Sequence, residues 1–113
     1  MTEEEIRNFQ RENTIRNLEK FTEIEREIRQ KQIIQQIVEE VKRAESIHPK
    51  WPSDPVHAAA ILSEEAGEVV KAVNNVATKH KGDSDYLTEA IQCAAMCVRF
   101  LKNIDKYDWG IEY

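Results

Sequence analysis

Apolar residues recur along the chain with the three- and four-residue spacing of amphipathic helices. Between Pro55 and Ala77, a projection at about 100° per residue gathers them into one stripe. A second stretch, from about Asp85 to Lys106, has an apolar arc that covers more than half of the helix circumference. The pattern therefore predicts two core helices, and the first of them carries the stripe Ala58, Ile61, Leu62, Val69, Ala72, Val73 and Val76.

The N-terminal part of the chain also has a strongly helical composition. The first proline is Pro49 and the first glycine is Gly67, so the first 48 residues contain neither helix breaker. The apolar positions from Ile6 to Ile28 mostly step by three, which drifts around a straight helix. We therefore expect a break or bend between Asn17 and Lys31, a second helix over Gln30–Ser46, and a domain boundary between an N-terminal extension (1–29) and a helical domain (30–113).

Turn residues between these segments support an all-α fold. The loop HPKWPSDP separates the N-terminal region from the first core helix, and Ser53 or Asp54 can cap that helix. No segment longer than a few residues alternates as a strand would. We predict an antiparallel helical bundle with an extra N-terminal helix.

Composition narrows the functional classes. The formal net charge is −5 and 33% of the residues are charged, so we expect no nucleic-acid partner. No apolar run approaches the roughly 18–20 residues that span a membrane. The opening MTEEEIRNFQ is typical of neither a signal nor a transit peptide, which favours a cytoplasmic location. Cys93 and Cys97 lie four apart on one predicted helix, and we expect both to be reduced.

Acidic residues interrupt the apolar stripes at specific positions. Glu65 falls near the centre of the stripe of the first core helix and Glu68 at its edge, whereas Glu64 lies further round. On the next helix Glu89 shares an arc with apolar residues. A carboxylate in packed apolar surroundings costs several kcal/mol unless a cation meets it (~2–7 kcal/mol for an unpaired polar group). The sequence predicts a divalent metal ion between two helices; the alternative is a solvated acidic face, which fits Glu64 best.

These residues also carry a resemblance to a known family. The stretch KWPSDPVHAAAILSEEAGEVVKAV, followed after a gap by LTEAIQCAAMCVRFL, resembles the MazG-like all-α nucleoside triphosphate pyrophosphohydrolases. Their signature is EExxE, a spacer, and ExxD. The similar region covers roughly residues 30–105. The residues that match the motif are Glu64, Glu65, Glu68 and Glu89. The chain departs from the motif at its last position, where Gln92 stands in place of Asp.

The resemblance implies an activity, a cofactor and an assembly. It implies hydrolysis of a nucleoside triphosphate to the monophosphate and pyrophosphate with Mg²⁺, for which Mn²⁺ could substitute. It also implies a homodimer or homotetramer in which dimerisation completes a four-helix bundle. In that scheme Glu65, Glu68 and Glu89 hold the metal and Gln92 is an auxiliary ligand, because an amide is a weaker hard-cation ligand than a carboxylate. Glu64 holds metal or activates water, so Glu64 and Glu65 are the catalytic candidates.

Five further residues are candidates for substrate binding, and three of them also have a structural alternative. Trp51 could stack on a nucleobase or cover the end of the bundle. Lys50 could meet phosphate, and Lys71 could contact phosphate or pair with Glu64 or Glu68. Lys81 could meet phosphate or belong to an ordinary basic loop between helices, and the asparagine could touch base or ribose. The five are Lys50, Trp51, Lys71, Lys81 and Asn103.

Two other functions remain open from the sequence. Loss of the final Asp at position 92 fits a non-catalytic nucleotide or metal binder that has a MazG-like fold. The apolar residues of the N-terminal extension fit an oligomerisation module instead. Release of pyrophosphate from nucleotides separates the enzyme from both alternatives.

Overall fold

The computed structural model of the chain describes residues 1–79 and 85–110, and every regular element in this part is helical. Helix α1 spans Glu3–Ile47, α2 spans Pro55–Ala77 and α3 spans Tyr86–Lys102. A short 3₁₀ helix, η1, follows at Ile104–Lys106. No strand occurs among the described residues, which confirms the all-α class.

The predicted break in the N-terminal region is wrong. Helix α1 is one 45-residue element that begins where Thr2 accepts a hydrogen bond from the backbone N–H of Glu5 at 3.2 Å. Within the expected break region, the Thr22 hydroxyl donates to the Leu18 carbonyl at 3.0 Å, inside α1. With no proline or glycine before Pro49, nothing removes a backbone donor from the helical ladder. The drift of the apolar positions does not break the helix, because residues 1–34 are all exposed.

The ends of α2 follow the sequence prediction closely. Asp54 is the N-cap and accepts from the backbone N–H of Val56 at 3.0 Å, while Pro55 occupies the first turn. At the other end Thr78 is the C-cap, and Lys79 adopts a left-handed φ of 58°. Helix α3 begins after Asp85, which caps the backbone N–H of Leu87 at 3.0 Å. Local side-chain chemistry therefore sets where both core helices begin.

The chain divides into two compact units, Met1–Ile34 and Gln35–Tyr113. In the second unit α2 packs directly against α3. Its fully buried positions are small, because Ala58, Ala72 and Ala95 expose no surface. Val41 and Ala44, near the end of α1, are also buried, and no large side chain is fully buried among the described residues. This unit has a thin core with substantial apolar surface around it.

Polar contacts tie the end of α1 and the following loop to α3. Arg99, only 5% exposed, donates to the His48 carbonyl at 2.6 Å. Lys102 pairs with Glu45 at 2.7 Å. The loop is also joined to the segment after η1, where the Asp108 backbone N–H donates to the Ser53 carbonyl at 2.9 Å. None of the helices in the described part of the chain is both long and apolar enough to cross a membrane.

Candidate carboxylate site

The two halves of the acidic motif lie on the helices that pack against each other. Glu65 is half-buried on α2, and Glu64 and Glu68 on the same helix are exposed. Glu89 lies half-buried in the first turn of α3, and Gln92 lies half-buried one turn later. The sequence predicts that acidic residues of two helices lie near one another. The effect of neighbouring acidic residues on Glu65 is consistent with that prediction.

Glu65 is the carboxyl group whose surroundings oppose ionisation most clearly. Burial is the largest cause and raises the pKa of Glu65 above its ordinary value. Neighbouring negative charges raise the pKa further, and three of them belong to the acidic motif. In order of decreasing effect these neighbours are Glu89, Glu68, Glu64 and Glu40. A cation bound nearby would offset this repulsion and favour the ionised form of Glu65.

The carboxylates are near one another without converging on one point. Among residues 1–79 and 85–110, no three His, Cys, Asp or Glu side chains are grouped so that they could hold a metal ion. Coulombic repulsion acts over several ångströms, whereas Mg²⁺ requires oxygen atoms at about 2.0–2.1 Å. The donor set suits a hard cation in chemistry, but the side-chain conformations of the described residues do not bring its oxygens to one point.

Helix α1 contributes a carboxylate that the motif did not predict. Glu40 lines a groove of about 270 Å³ together with Glu65 and Gln92. The Glu40 side chain is only 14% exposed and receives two hydrogen bonds from Arg43, at 2.8 and 2.6 Å. This hydrogen bonding lowers the pKa of Glu40 below its ordinary value. We call this space the carboxylate groove; its lining residues are Glu40, Arg43, Ala44, Ile47, His48, Glu65, Gln92, Met96 and Arg99.

Glu40 was predictable from the sequence, because it also falls on an apolar face of its helix. At about 100° per residue, Glu40 projects beside Ile37 and Ala44, on the face that also carries buried Val41. The same criterion identified Glu65 on α2. Arg99 was missed in the same way, since it projects between Ala95 and Met96 on the apolar face of α3.

A thiol borders the acidic residues. Cys93 and Cys97 are both free, as expected from their spacing. Burial raises the pKa of the Cys93 thiol, and the neighbouring Cys97 and Glu65 raise it further. Cys93 is therefore a neutral, weakly polar neighbour of Glu65 at neutral pH.

Two of the predicted substrate-binding residues share a second groove. Trp51 and Asn103 line a space of about 340 Å³ that also contains Arg99, Lys102 and Lys106. We call it the basic groove. Lys50 and Lys71 were also predicted to bind substrate, and both side chains are exposed in the structure. Lys81, the remaining candidate, lies outside the described residues.

Both Trp51 and Asn103 also have structural partners. The indole N–H of Trp51 donates to the Tyr107 hydroxyl at 2.9 Å, and the Arg99 guanidinium carbon lies 4.9 Å from the centroid of the indole ring. The Asn103 amide donates to the Arg99 carbonyl at 2.7 Å and caps α3. These contacts support the structural alternative for Trp51, and its role in stacking on a base stays a prediction.

The family resemblance rests on the sequence motif alone, because comparison with known sequences and structures adds no support for it. No protein-family model, curated protein or solved structure matches the chain.

Proposed function

We propose that the chain is a Mg²⁺-dependent nucleoside triphosphate pyrophosphohydrolase of MazG-like architecture. In this reaction water adds to phosphorus, the bond between the α-phosphorus and the bridging oxygen breaks, and the products are a nucleoside monophosphate and pyrophosphate. The observation that carries the proposal is Glu65, whose half-buried carboxyl group is surrounded by four others that raise its pKa. Such an arrangement is costly in a bare protein and favourable around a divalent ion.

The residues divide into distinct tasks under this proposal. Glu65, Glu68 and Glu89 would hold Mg²⁺, with Gln92 as a neutral auxiliary ligand. When bound, the ion would neutralise phosphate charge and polarise an attacking water. Glu64 is exposed beside Glu65, and its carboxylate would accept the proton of that water.

Cationic side chains support binding of a polyphosphate nearby. Arg99 lines both the carboxylate groove and the basic groove, so its side chain borders both spaces. Lys102 and Lys106 lie in the basic groove, and Lys102 is paired with Glu45. The proposal assigns phosphate contacts to this region and a stacking role to Trp51.

Pyrophosphate release tests the activity directly. The purified chain is incubated with each ribo- and deoxyribonucleoside triphosphate in the presence of Mg²⁺, Mn²⁺ or a chelator. Products are separated by anion exchange, because the monophosphate with pyrophosphate indicates the proposed reaction and the diphosphate with phosphate does not. The Glu65→Gln variant measures the background, and wild-type activity no higher than that background refutes the proposal.

The departure at position 92 gives a prediction about metal affinity. Gln92→Asp adds the negative charge that the family motif has, so we expect Mg²⁺ to bind about tenfold more tightly, which corresponds to about 1.4 kcal/mol. Gln92→Asn is the matched control, since it has the same size as Asp without the charge. Calorimetry without nucleotide provides the measurement, and equal affinities for Asp and Asn variants would place residue 92 outside the coordination sphere.

We also propose that the functional unit is at least a dimer, in which α3 is buried between chains to complete the bundle. Val98 is half-buried and lines an apolar groove of about 220 Å³ with Ile37, Val38 and Val41. Leu87 and Leu101, on the same helix, are 61% and 62% exposed. This apolar surface supports a second chain as the missing neighbour.

Val98→Asp tests that interface. The variant should lose both self-association and thermal stability, because assembly would bury a carboxylate without a partner. Val98→Thr is nearly isosteric and should retain the assembly. Light scattering at tens of micromolar gives the mass, and circular dichroism reports folding. A monomeric wild type would contradict the proposed dimer and weaken the enzyme proposal.

A non-catalytic metal or nucleotide binder is the second candidate. It is favoured by Gln92, an amide at the position where the family motif has a carboxylate. Metal binding without pyrophosphate release from any nucleotide would support this candidate over the enzyme.

A further inference from the structure

We infer that Tyr107 is a positioning residue for Trp51, and that it holds the indole so that only a ring face is offered to a nucleobase. The inference rests on the proposed function, because it concerns how the nucleotide would be held. Tyr107 is half-buried in the segment after η1 and was not among the candidates predicted from the sequence. Its contacts at both ends of the side chain carry the inference.

The first step is the anchor of Tyr107 at the end of α3. The last carbonyl groups of a helix lack partners within the helix. The Phe100 carbonyl is one of these, and the Tyr107 hydroxyl donates to it at 2.8 Å. The Tyr107 ring also packs against the Phe100 ring, with centroids 5.0 Å apart. Tyr107 is therefore fixed to a regular helix through its ring and through its hydroxyl.

The same hydroxyl binds the polar edge of Trp51. The indole N–H donates to the Tyr107 oxygen at 2.9 Å. Because an indole N–H can only donate and a backbone carbonyl can only accept, chemistry sets the direction of both hydrogen bonds. Consecutive hydrogen bonds of this kind polarise and strengthen one another. Trp51 is thus joined through one hydroxyl to the last turn of α3, and its N–H is already engaged.

Arg99 occupies one face of the same indole ring. Its guanidinium carbon lies over the ring, 4.9 Å from the centroid. A planar ligand can therefore stack on Trp51 only at the face that Arg99 leaves free. Trp51 lines the basic groove together with Lys102 and Lys106. An aromatic base on the free face, with its phosphates near these lysines, matches both the shape and the charge of this groove.

The engaged N–H limits what Trp51 can discriminate. Stacking depends on the overlap of the rings, and every base has a π face. Since the one hydrogen-bond donor of the indole is held by Tyr107, Trp51 does not distinguish an amino group from a carbonyl on the base. Trp51 therefore selects by ring size, so that it favours purines over pyrimidines and treats adenine and hypoxanthine alike.

The first measurement requires no nucleotide. Trp109→Phe removes the other tryptophan, so the NMR signal of the indole N–H reports on Trp51 alone. In this background Tyr107→Phe keeps the ring but removes the hydroxyl, and the indole proton should exchange with water at least about tenfold faster. Tyr86→Phe, at an exposed tyrosine of α3, is the matched control. Equal exchange rates in the two variants overturn the inference, whether or not the chain binds nucleotides.

The second measurement is the affinity for α,β-methylene-ATP, which the proposed reaction cannot cleave. Tyr107→Phe should weaken binding about tenfold, because a displaced indole loses overlap with the base. In a Trp51→Leu background the same change should have no further effect, since Tyr107 acts through the indole. A general structural role would weaken binding in both backgrounds, and such additive losses overturn the inference.

The α,β-methylene analogues of CTP and ITP test the selectivity. The affinity lost in Trp51→Leu should be larger for the ATP analogue than for the CTP analogue, and equal within about twofold for the ATP and ITP analogues. A loss confined to the ATP analogue would show that Trp51 reads the amino group, against the inference. Wild type that binds no analogue refutes the proposed function and this role together. Binding that Tyr107→Phe leaves intact refutes only the role of Tyr107.

Discussion

Glu65→Gln should abolish the stabilisation of the protein by Mg²⁺ or Mn²⁺. A ligand that binds only the folded state stabilises it by about 2.7 kcal/mol at one hundred times its Kd. The variant lacks the half-buried carboxylate that has four acidic neighbours, so this increment should disappear. Thermal unfolding with and without metal gives the measurement, and Glu64→Gln on the same helix is the matched control. A metal-dependent shift that persists in Glu65→Gln would show that Glu65 is not a ligand.

The same variant should behave in the opposite way without metal. The pKa of Glu65 is raised in the folded chain, so the folded state binds more protons than the unfolded state between the two pKa values. The free energy of unfolding therefore falls as pH rises from the ordinary glutamate pKa, about 4.3, through the folded value. In a chelating buffer at neutral pH, Glu65→Gln should be more stable than wild type, and its stability should depend less on pH over this interval.

Arg99→Met should destabilise the second unit by about 3 kcal/mol. The substitution keeps an apolar stem but removes the donor to the His48 carbonyl and the cation beside Trp51. A hydrogen bond to a charged group contributes about 1.5–3 kcal/mol and a cation–π contact about 0.5–2 kcal/mol. Denaturant unfolding followed by Trp fluorescence measures the loss.

Lys102→Met provides the matched control for Arg99→Met. Lys102 lies three residues later on α3 and also reaches α1, where it pairs with Glu45. Both side chains of that pair are 40% or more exposed, so its loss should cost less than about 1 kcal/mol. Equal losses for the two variants would show that the buried position of Arg99 adds nothing to stability.

Local patterns predicted the elements of the second unit well. The apolar stripe and the Asp54–Pro55 pair located α2, and the wide apolar arc located α3, because both features act within a few residues. The continuity of α1 was mispredicted, since we required one buried face from a region that is exposed along its whole length. Exposure depends on neighbours that are distant in sequence, and the spacing of Ile6, Phe9 and Ile15 could not reveal it.

The candidate site was predictable only in part. Glu65 and Glu89 were identified because each interrupts an apolar face, which is a local signal. The surroundings of Trp51 were not predictable, because its partners Arg99 and Tyr107 lie about fifty residues away in sequence and meet it only after folding. The ion pair between Arg43 and Glu40 is a local feature, because the two residues are three apart in sequence. The nearness of Glu40 to Glu65, however, depends on the packing of three helices.

The fully buried alanines Ala58, Ala72 and Ala95 have a consequence for any ion or ligand between α2 and α3. Alanine has no side-chain rotamers, so these positions lose no side-chain entropy on packing and cannot change shape to let the helices slide apart. The distance between the backbones of the two acid-bearing helices is therefore set by these positions. Adjustment to a ligand of a different radius must come from the long glutamate side chains. Replacement of an alanine by a larger residue would change the distance between the helices itself.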